Sequence, residues 1–146
     1  MKMRNFLSDM EIVFEVPGEP RGKGRPRFTK TGHPYTDSET RSYENKIVAY
    51  YRKQLVAFRW PDSAFISVQV TAYYPIPKSA TKAATVAMRE GVMLPSRKPD
   101  IDNVLKIVLD ALNGVAYKDD SRVVCVEAQK IYSDVPRLEI RMRGSE

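Results

Sequence analysis

The sequence predicts an α+β fold: one small domain with a mixed or antiparallel sheet and two main helices packed on it. Three observations predict it. The chain has 146 residues, the length of one domain at about 100–200 residues each, and long enough to bury roughly two-thirds of its unfolded surface. Apolar residues make up 42% and charged residues 29%, and 5 Phe, 8 Tyr and 1 Trp supply a packed core; a disordered chain has few such side chains. The hydrophobic period switches along the chain between two residues and 3.6, strand and helix by turns. There is no internal repeat, low-complexity tract or linker.

The elements follow in order. Ile12–Val16 is apolar and β-branched and is stopped by Pro17-Gly18, which predicts a strand. Residues 17–36 hold four of the ten prolines and four of the seven glycines, a loop rather than a helix. Thr36–Phe58 predicts a long helix. Thr36 and Glu39 have capping-box spacing, and Tyr43, Ile47, Tyr50, Tyr51, Leu55 and Phe58 form a buried stripe. Phe65–Tyr74 alternates apolar and polar residues, a half-exposed strand closed by Pro75 and Pro77. Ser79–Glu90 predicts a short Ala-rich helix, and Met93–Pro99 a loop. Residues 101–113 predict the second strong helix, with Ile101, Val104, Leu105, Val108, Leu109 and Leu112 on one face and Asn113-Gly114 as its stop. Lys118–Ser121 is a polar turn. Val123–Tyr132 and Leu138–Met142 read as two strands joined near Asp134-Val135-Pro136 in a hairpin.

Several classes are excluded. Cys125 is the single cysteine, so there is no disulfide framework and no cysteine-based zinc site. His33 is the single histidine, which argues against a Ser-His-Asp hydrolase and a His-rich metal site. No stretch approaches the ~20 apolar residues of a membrane span. Residues 1–10 are basic but lack the apolar core of a secretory signal. They are expected to be a poorly ordered segment, and the protein is expected in the cytoplasm.

Charge is unevenly placed. The formal net charge is +6. Residues 17–36 carry Arg21, Lys23, Arg25, Arg27 and Lys30 against Glu19 as their one acid. Guanidiniums and backbone N–H groups on such a loop suit phosphate contacts, although a solvated surface loop has the same composition. Arg97 and Lys98 add positive charge just before the second helix.

The acids form a constellation. Asp100 and Asp102 stand at the start of that helix, and Asp102, Lys106 and Asp110 share one face at i, i+4, i+8. The helix spans ~21 Å at 1.5 Å per residue. If the chain then turns back, the strand after Asp120 returns that carboxylate to the helix start, and three carboxylates converge. Carboxylates so placed need a cation, and with no His or Cys ligand the oxygen set selects Mg²⁺, with Mn²⁺ as a substitute. Such a metal activates water and polarises a phosphodiester oxygen, and Lys106 can neutralise developing charge. Each residue also has a structural reading: Asp100 or Asp102 as a helix cap, Asp119-Asp120 as a turn, Lys106–Asp110 as a surface pair. The combination with a basic loop is what points to a metal-dependent phosphodiester enzyme.

Lys98-Pro99-Asp100-Ile101-Asp102-Asn103-Val104-Leu105-Lys106, then Asp110-Ala111-Leu112-Asn113-Gly114, then Asp119-Asp120-Ser121-Arg122-Val123, resembles the RusA family of Holliday junction resolvases. The resemblance runs from about residue 11 to 143. It includes Pro17-Gly18, Gly24-Arg25-Pro26-Arg27 and the strand ending Tyr74-Pro75. It implies a homodimeric α+β endonuclease of bacteria or their phages that needs Mg²⁺ or Mn²⁺ and takes a four-way DNA junction as substrate. It implies Asp100, Asp102 and Asp120 as catalytic, metal-holding aspartates and Lys106 as the catalytic lysine. Asp110 falls on a further acidic position, Lys130 on a basic position that touches DNA, and Asn103 on a supporting one. The basic loop departs from the family's shortest members in length and glycine content. A junction needs two symmetric nicks, which a two-fold dimer supplies. The alternatives are a nuclease for flaps or forks, a non-catalytic DNA-binding module whose acids are caps and turns, and, more distantly, a nucleotide-sugar transferase.

Overall fold

A computed structural model describes residues 10–145. Residues 1–9 lie outside the described residues, and with them nearly all of the N-terminal segment expected to be poorly ordered. Four strands form the main sheet: β1 (Glu11–Pro17), β4 (Phe65–Pro75), β5 (Val123–Ser133) and β6 (Arg137–Ser145). A separate two-stranded ribbon is made by β2 (Arg27–Phe28) and β3 (Pro34–Tyr35). The helices are α1 (Ser38–Leu55), α2 (Lys82–Arg89) and α3 (Ile101–Leu112). A 3-10 turn, Asp120–Arg122, precedes β5.

The strand order is β1-β6-β4-β5, with β6 antiparallel to both its neighbours and β4 parallel to β5. The sheet is therefore mixed. The expected hairpin between the last two strands does not form, because β4 lies between them. Asp134-Val135-Pro136 is instead a crossing at the end of β4. A local turn signal reports a change of direction, but which strand the chain then pairs with is decided by burial. Leu138, Ile140 and Met142 of β6 are fully buried and need neighbours on both sides. The apolar side chains Val124 and Val126 of β5 are 54% and 43% exposed, which suits an edge.

Alternation sends Ile12, Phe14 and Val16 of β1, and Ile66, Val68, Val70, Ala72 and Tyr74 of β4, to the face covered by the helices. Tyr43, Ile47 and Tyr51 of α1 pack there, the Phe14 and Tyr51 rings edge to face at 5.3 Å. From α3 come Val104, Ile107, Val108, Ala111 and Leu112. Ile107 is fully buried although the apolar face read from the sequence omitted it, and Ile101, which that face included, is exposed. The opposite face of the sheet is polar: Arg141 and Arg143 pair with Glu11, and Arg137 with Glu15.

Helix ends differ from expectation by up to three residues: α1 runs Ser38–Leu55, so Thr36 and Phe58 lie outside it, and α2 begins at Lys82 rather than Ser79. The cap of α1 is Asp37, whose carboxylate accepts the Thr40 N–H at 2.6 Å, rather than Thr36. The cap of α2 is Thr81, which accepts the Ala84 N–H. α3 ends as expected, with Gly114 at φ +75°, a conformation that side chains disfavour.

Thr40, through its N–H and hydroxyl, holds the Asp37 carboxyl below its ordinary value of 3.8. A depressed carboxylate stabilises the fold above its unfolded value, and that contribution disappears as pH falls through the folded one. Asp37→Ala is therefore expected to lower the melting temperature at pH 7. The gap between variant and wild type should close below about pH 4, as read by thermal melts across pH.

Candidate functional site

α3 carries most of the chemistry, and its position follows from the crossover. A parallel β4–β5 pair requires the intervening chain to return to the starting edge. α3 makes that return, so its first turn stands at the end of β4 and its last turn near the beginning. Tyr74, near the end of β4, donates its hydroxyl to the Pro99 carbonyl at 2.5 Å. Burial pushes this phenol up to about 12, so it stays protonated as the donor. At the other end the Trp60 backbone N–H donates to the Ala116 carbonyl at 2.8 Å, and Arg122 donates to the carbonyls of Ser63 and Ala64.

This geometry divides the acids. Asp100 and Asp102 lie at the start of α3. Asp110, Asp119 and Asp120 lie around Tyr117 at its far end, where their charges join burial in raising that phenol. The two ends are about 26 Å apart along the eight residue steps from Ile66 to Tyr74 of β4. A shared Mg²⁺ needs its oxygens at roughly 2.1 Å. The expected convergence of Asp100, Asp102 and Asp120 therefore does not occur within one chain. Among the described residues, no three acidic, histidine or cysteine side chains are grouped to hold a metal. The missed point is the direction of the return: the turn after α3 carries Asp120 to the beginning of β4, not back to the helix start.

Asp100 occupies the cap position of α3, yet its side chain makes no capping bond. Lys98 donates to it at 2.6 Å instead, and this bond holds its carboxyl below the ordinary value, with the Lys130 charge adding to the effect. The cap reading thus does not account for the Asp100 carboxylate. Asp102 and Lys106 are exposed one turn apart, and neither makes a side-chain hydrogen bond or ion pair with the described residues. Asp119 is held low by Ser121, whose N–H it accepts in the 3-10 turn, so here the turn reading holds. Donor chemistry at Asp100 and Asp102 fits a hard divalent cation, which commonly takes one or two carboxylates and completes its shell with substrate phosphate and water.

Around Asp100 the cations cluster. Lys130, on β5 beside Ala72, donates to the Arg97 carbonyl at 2.8 Å and stands 5.0 Å from the centre of the Tyr74 ring. Arg97 covers the same ring. A cleft of about 340 Å³ separates this group from the basic loop, with Arg21, Gly24 and Asp37 on one wall and Arg97, Lys98 and Pro99 on the other.

The basic loop is not uniformly solvated. Lys23 is largely buried and bonds Glu44 of α1, and it pairs with Asp110 of α3 at 3.2 Å. Burial alone would lower its pKa; the bonds to Glu44 and Asp110 outweigh that and raise it. Its N–H donates to the Asn103 carbonyl at 2.9 Å. Gly22 permits this approach, since a Cβ there would sit 2.8 Å from that of Pro99 and 3.0 Å from that of Asn103. Lys23 is thus a strap holding the loop across α1 and α3, rather than the free phosphate contact expected from composition. Asp110, whose role the sequence left open, is its partner. Arg25, Arg27 and Lys30 are exposed on the loop beyond, and Arg21 is exposed before it. No helix of the described residues is long and apolar enough to cross a membrane.

Residues 17–143 match the family described as endodeoxyribonuclease RusA. The chain belongs to the RusA family. An uncharacterized protein of Bacillus subtilis (strain 168), YqaN, is 37% identical over 139 residues, covering 90% of this chain and 95% of its own. RusA family membership makes the protein an endonuclease of the class that acts on branched DNA junctions. The match spans the basic loop, all of α3, the acidic turn and β5, so the divided acids belong to the shared part of the chain.

Asp110→Ala is expected to weaken the Lys23 strap, leaving Glu44 as its remaining ion-pair partner. Amide exchange at Gly22–Gly24 should then speed, while the helical amides of α3 keep their protection, as read by hydrogen exchange.

Proposed function

We propose that this RusA family protein resolves four-way DNA junctions as a homodimer, by metal-dependent hydrolysis at two symmetric sites. The observation that carries the dimer is the division of the acids together with the free edge of β5. Two copies that pair along β5 about a two-fold axis must run antiparallel. The Val123 end of one strand then lies against the Lys130–Ser133 end of the other. That brings Asp120 of a second copy toward the Asp100 and Asp102 of the first, at both ends of the joined strands. The exposed apolar side chains of β5, Val124 and Val126, support the same edge as the contact. A site incomplete in one chain is completed twice in the pair.

Asp100, Asp102 and the second copy's Asp120 would hold Mg²⁺, or Mn²⁺ in its place. A divalent cation bound there lowers the pKa of a coordinated water and polarises a phosphodiester oxygen. The chain's own groups do the rest. Lys106 projects from the exposed face of α3 one turn beyond Asp102, where its ammonium offsets charge developing on the phosphate. Lys98 neutralises Asp100 and, with Arg97 and Lys130, makes a positive wall that draws the DNA backbone to the acids. Arg21, Arg25, Arg27 and Lys30 extend that surface across the cleft. Binding through such contacts weakens steeply with salt.

Asp102→Asn is expected to fold, to bind a labelled four-way junction like the wild type, and to leave it uncut in Mg²⁺. Loss of binding by the folded variant would argue against separate roles for the acids and the basic surface. Faster cutting of flaps or forks than of four-way junctions by the wild type would transfer the reading to those substrates.

Mixing supplies the test of the shared site. Asp102→Asn and Asp120→Asn should each be inactive alone. Exchanged together, half the dimers are mixed and each has one intact site, so about a quarter of the wild-type sites return, as single rather than paired nicks. No recovery, with subunit exchange demonstrated, would place each site within one chain.

A further inference from the structure

The ribbon β2–β3 lies between Gly24 and Asp37, which line the cleft, and the site described above makes no use of its aromatic side chains. Arg27 pairs with Tyr35 and Phe28 with Pro34, and the turn is closed by the Thr29 N–H on the His33 carbonyl and the Gly32 N–H on the Thr29 carbonyl. Phe28 is 66% exposed and Tyr35 47%. Isolated exposed apolar residues are ordinary on protein surfaces. These two stand on an exposed ribbon within a basic stretch: residues 20–36 contain Arg21, Lys23, Arg25, Arg27 and Lys30 and no acid, the nearest in sequence being Glu19 and Asp37 at its two ends. The root of the ribbon is fixed, by the Gly24 N–H on the Thr40 hydroxyl and by the Lys23 strap. Gly24 and Asp37, which bracket the ribbon, share the cleft with Arg97, Lys98 and Pro99, so the ribbon stands beside the loop that delivers Asp100.

We propose that this ribbon is a stacking arm, with Phe28 laid against an unstacked base at the branch point of the DNA while Arg25, Arg27 and Lys30 hold the flanking phosphates. The proposal rests on the junction reading and deepens it. Positive charge selects a polyanion as the occupant, and an exposed ring among those charges suits a base, since every base has a π face and stacking needs no particular sequence. Continuous duplex offers no free base face; a branch point does. Phe28 thereby becomes a residue of substrate selection, preferring branched DNA over linear DNA by its shape. Tyr35, on the other face of the ribbon with Arg27, is a flank of the arm rather than its tip.

The test uses the full chain in EDTA, so that binding is read without hydrolysis. A synthetic four-way junction carries 2-aminopurine at one branch-point position, with a linear duplex of the same sequence beside it. Wild type and Phe28→Trp should change the 2-aminopurine emission on the junction and prefer the junction to the duplex. Phe28→Ala should lose the emission change and bind the junction about tenfold more weakly, with duplex affinity unchanged. Wild-type emission and affinity in Phe28→Ala would overturn the proposal. So would an equal loss on junction and duplex, which would make the ring part of a general binding surface. A wild type that prefers no branched DNA overturns the arm and the proposed substrate together. A wild type that stacks through Phe28 and yet cuts nothing in Mg²⁺ supports the arm and overturns the hydrolytic reading alone.

Discussion

The parallel pairing of β4 with β5 is the constraint on which the rest of the molecule depends. Two neighbouring strands that run the same way cannot be joined by a turn, so the chain between them must travel the length of the sheet and come back. α3 is that return path. Its buried residues, from Val104 to Leu112, bind it to α1 and to the core on the apolar face of the sheet, each buried Val, Ile or Leu contributing about 1.5–3 kcal/mol on leaving water. Once α3 is laid down in this direction, everything attached to it is placed. The Lys98–Asp100 loop and the first turn of α3 stand at the end of β4, the acidic turn stands at the beginning, and β5 becomes an edge.

The electrostatics follow the same division. At the start of α3, one carboxylate is neutralised by Lys98, while Asp102 and Lys106 remain open to solvent. Lys130 and Arg97 gather over Tyr74, whose buried hydroxyl fixes the Pro99 backbone. In the last turn of α3, Asp110 is given to Lys23, and that pair with Glu44 ties a glycine-rich loop down across two helices. The loop is thereby split into a fixed root and a free basic ribbon. A charge excess that composition presents as one feature is two: Lys23 maintains structure, whereas Arg25, Arg27 and Lys30 face solvent and are available to a polyanion.

Much of this was legible in the residues. The strands β1 and β4 and the helices α1 and α3 follow from hydrophobic period, because alternation and the 3.6-residue repeat are local properties of the backbone. Gly114 and the family motif were equally visible. Ile107 was overlooked because a face drawn at one seam misses the residue beside it when the helix lies flat on a sheet. The hairpin expected of β5 and β6 and the gathering of Asp120 with Asp100 failed for a shared reason. Both concern which non-neighbouring segments meet, and turn residues report only that the chain bends.

By itself, then, the sequence determined the element types, the single α+β domain, the set of acids and lysines, and membership of an endonuclease family, since each is written in residue type and short-range spacing. The tertiary structure alone decided that Lys23 is a strap with Asp110 as its partner, and that the basic loop carries a ribbon with Phe28 at its exposed side. It alone decided that the acids stand at opposite ends of one helix. The physical reason is that strand pairing is chosen by burial across the whole sheet. Leu138, Ile140 and Met142 required a central position, β6 took it between β1 and β4, and the edge left to β5 fixed where Asp120 stands.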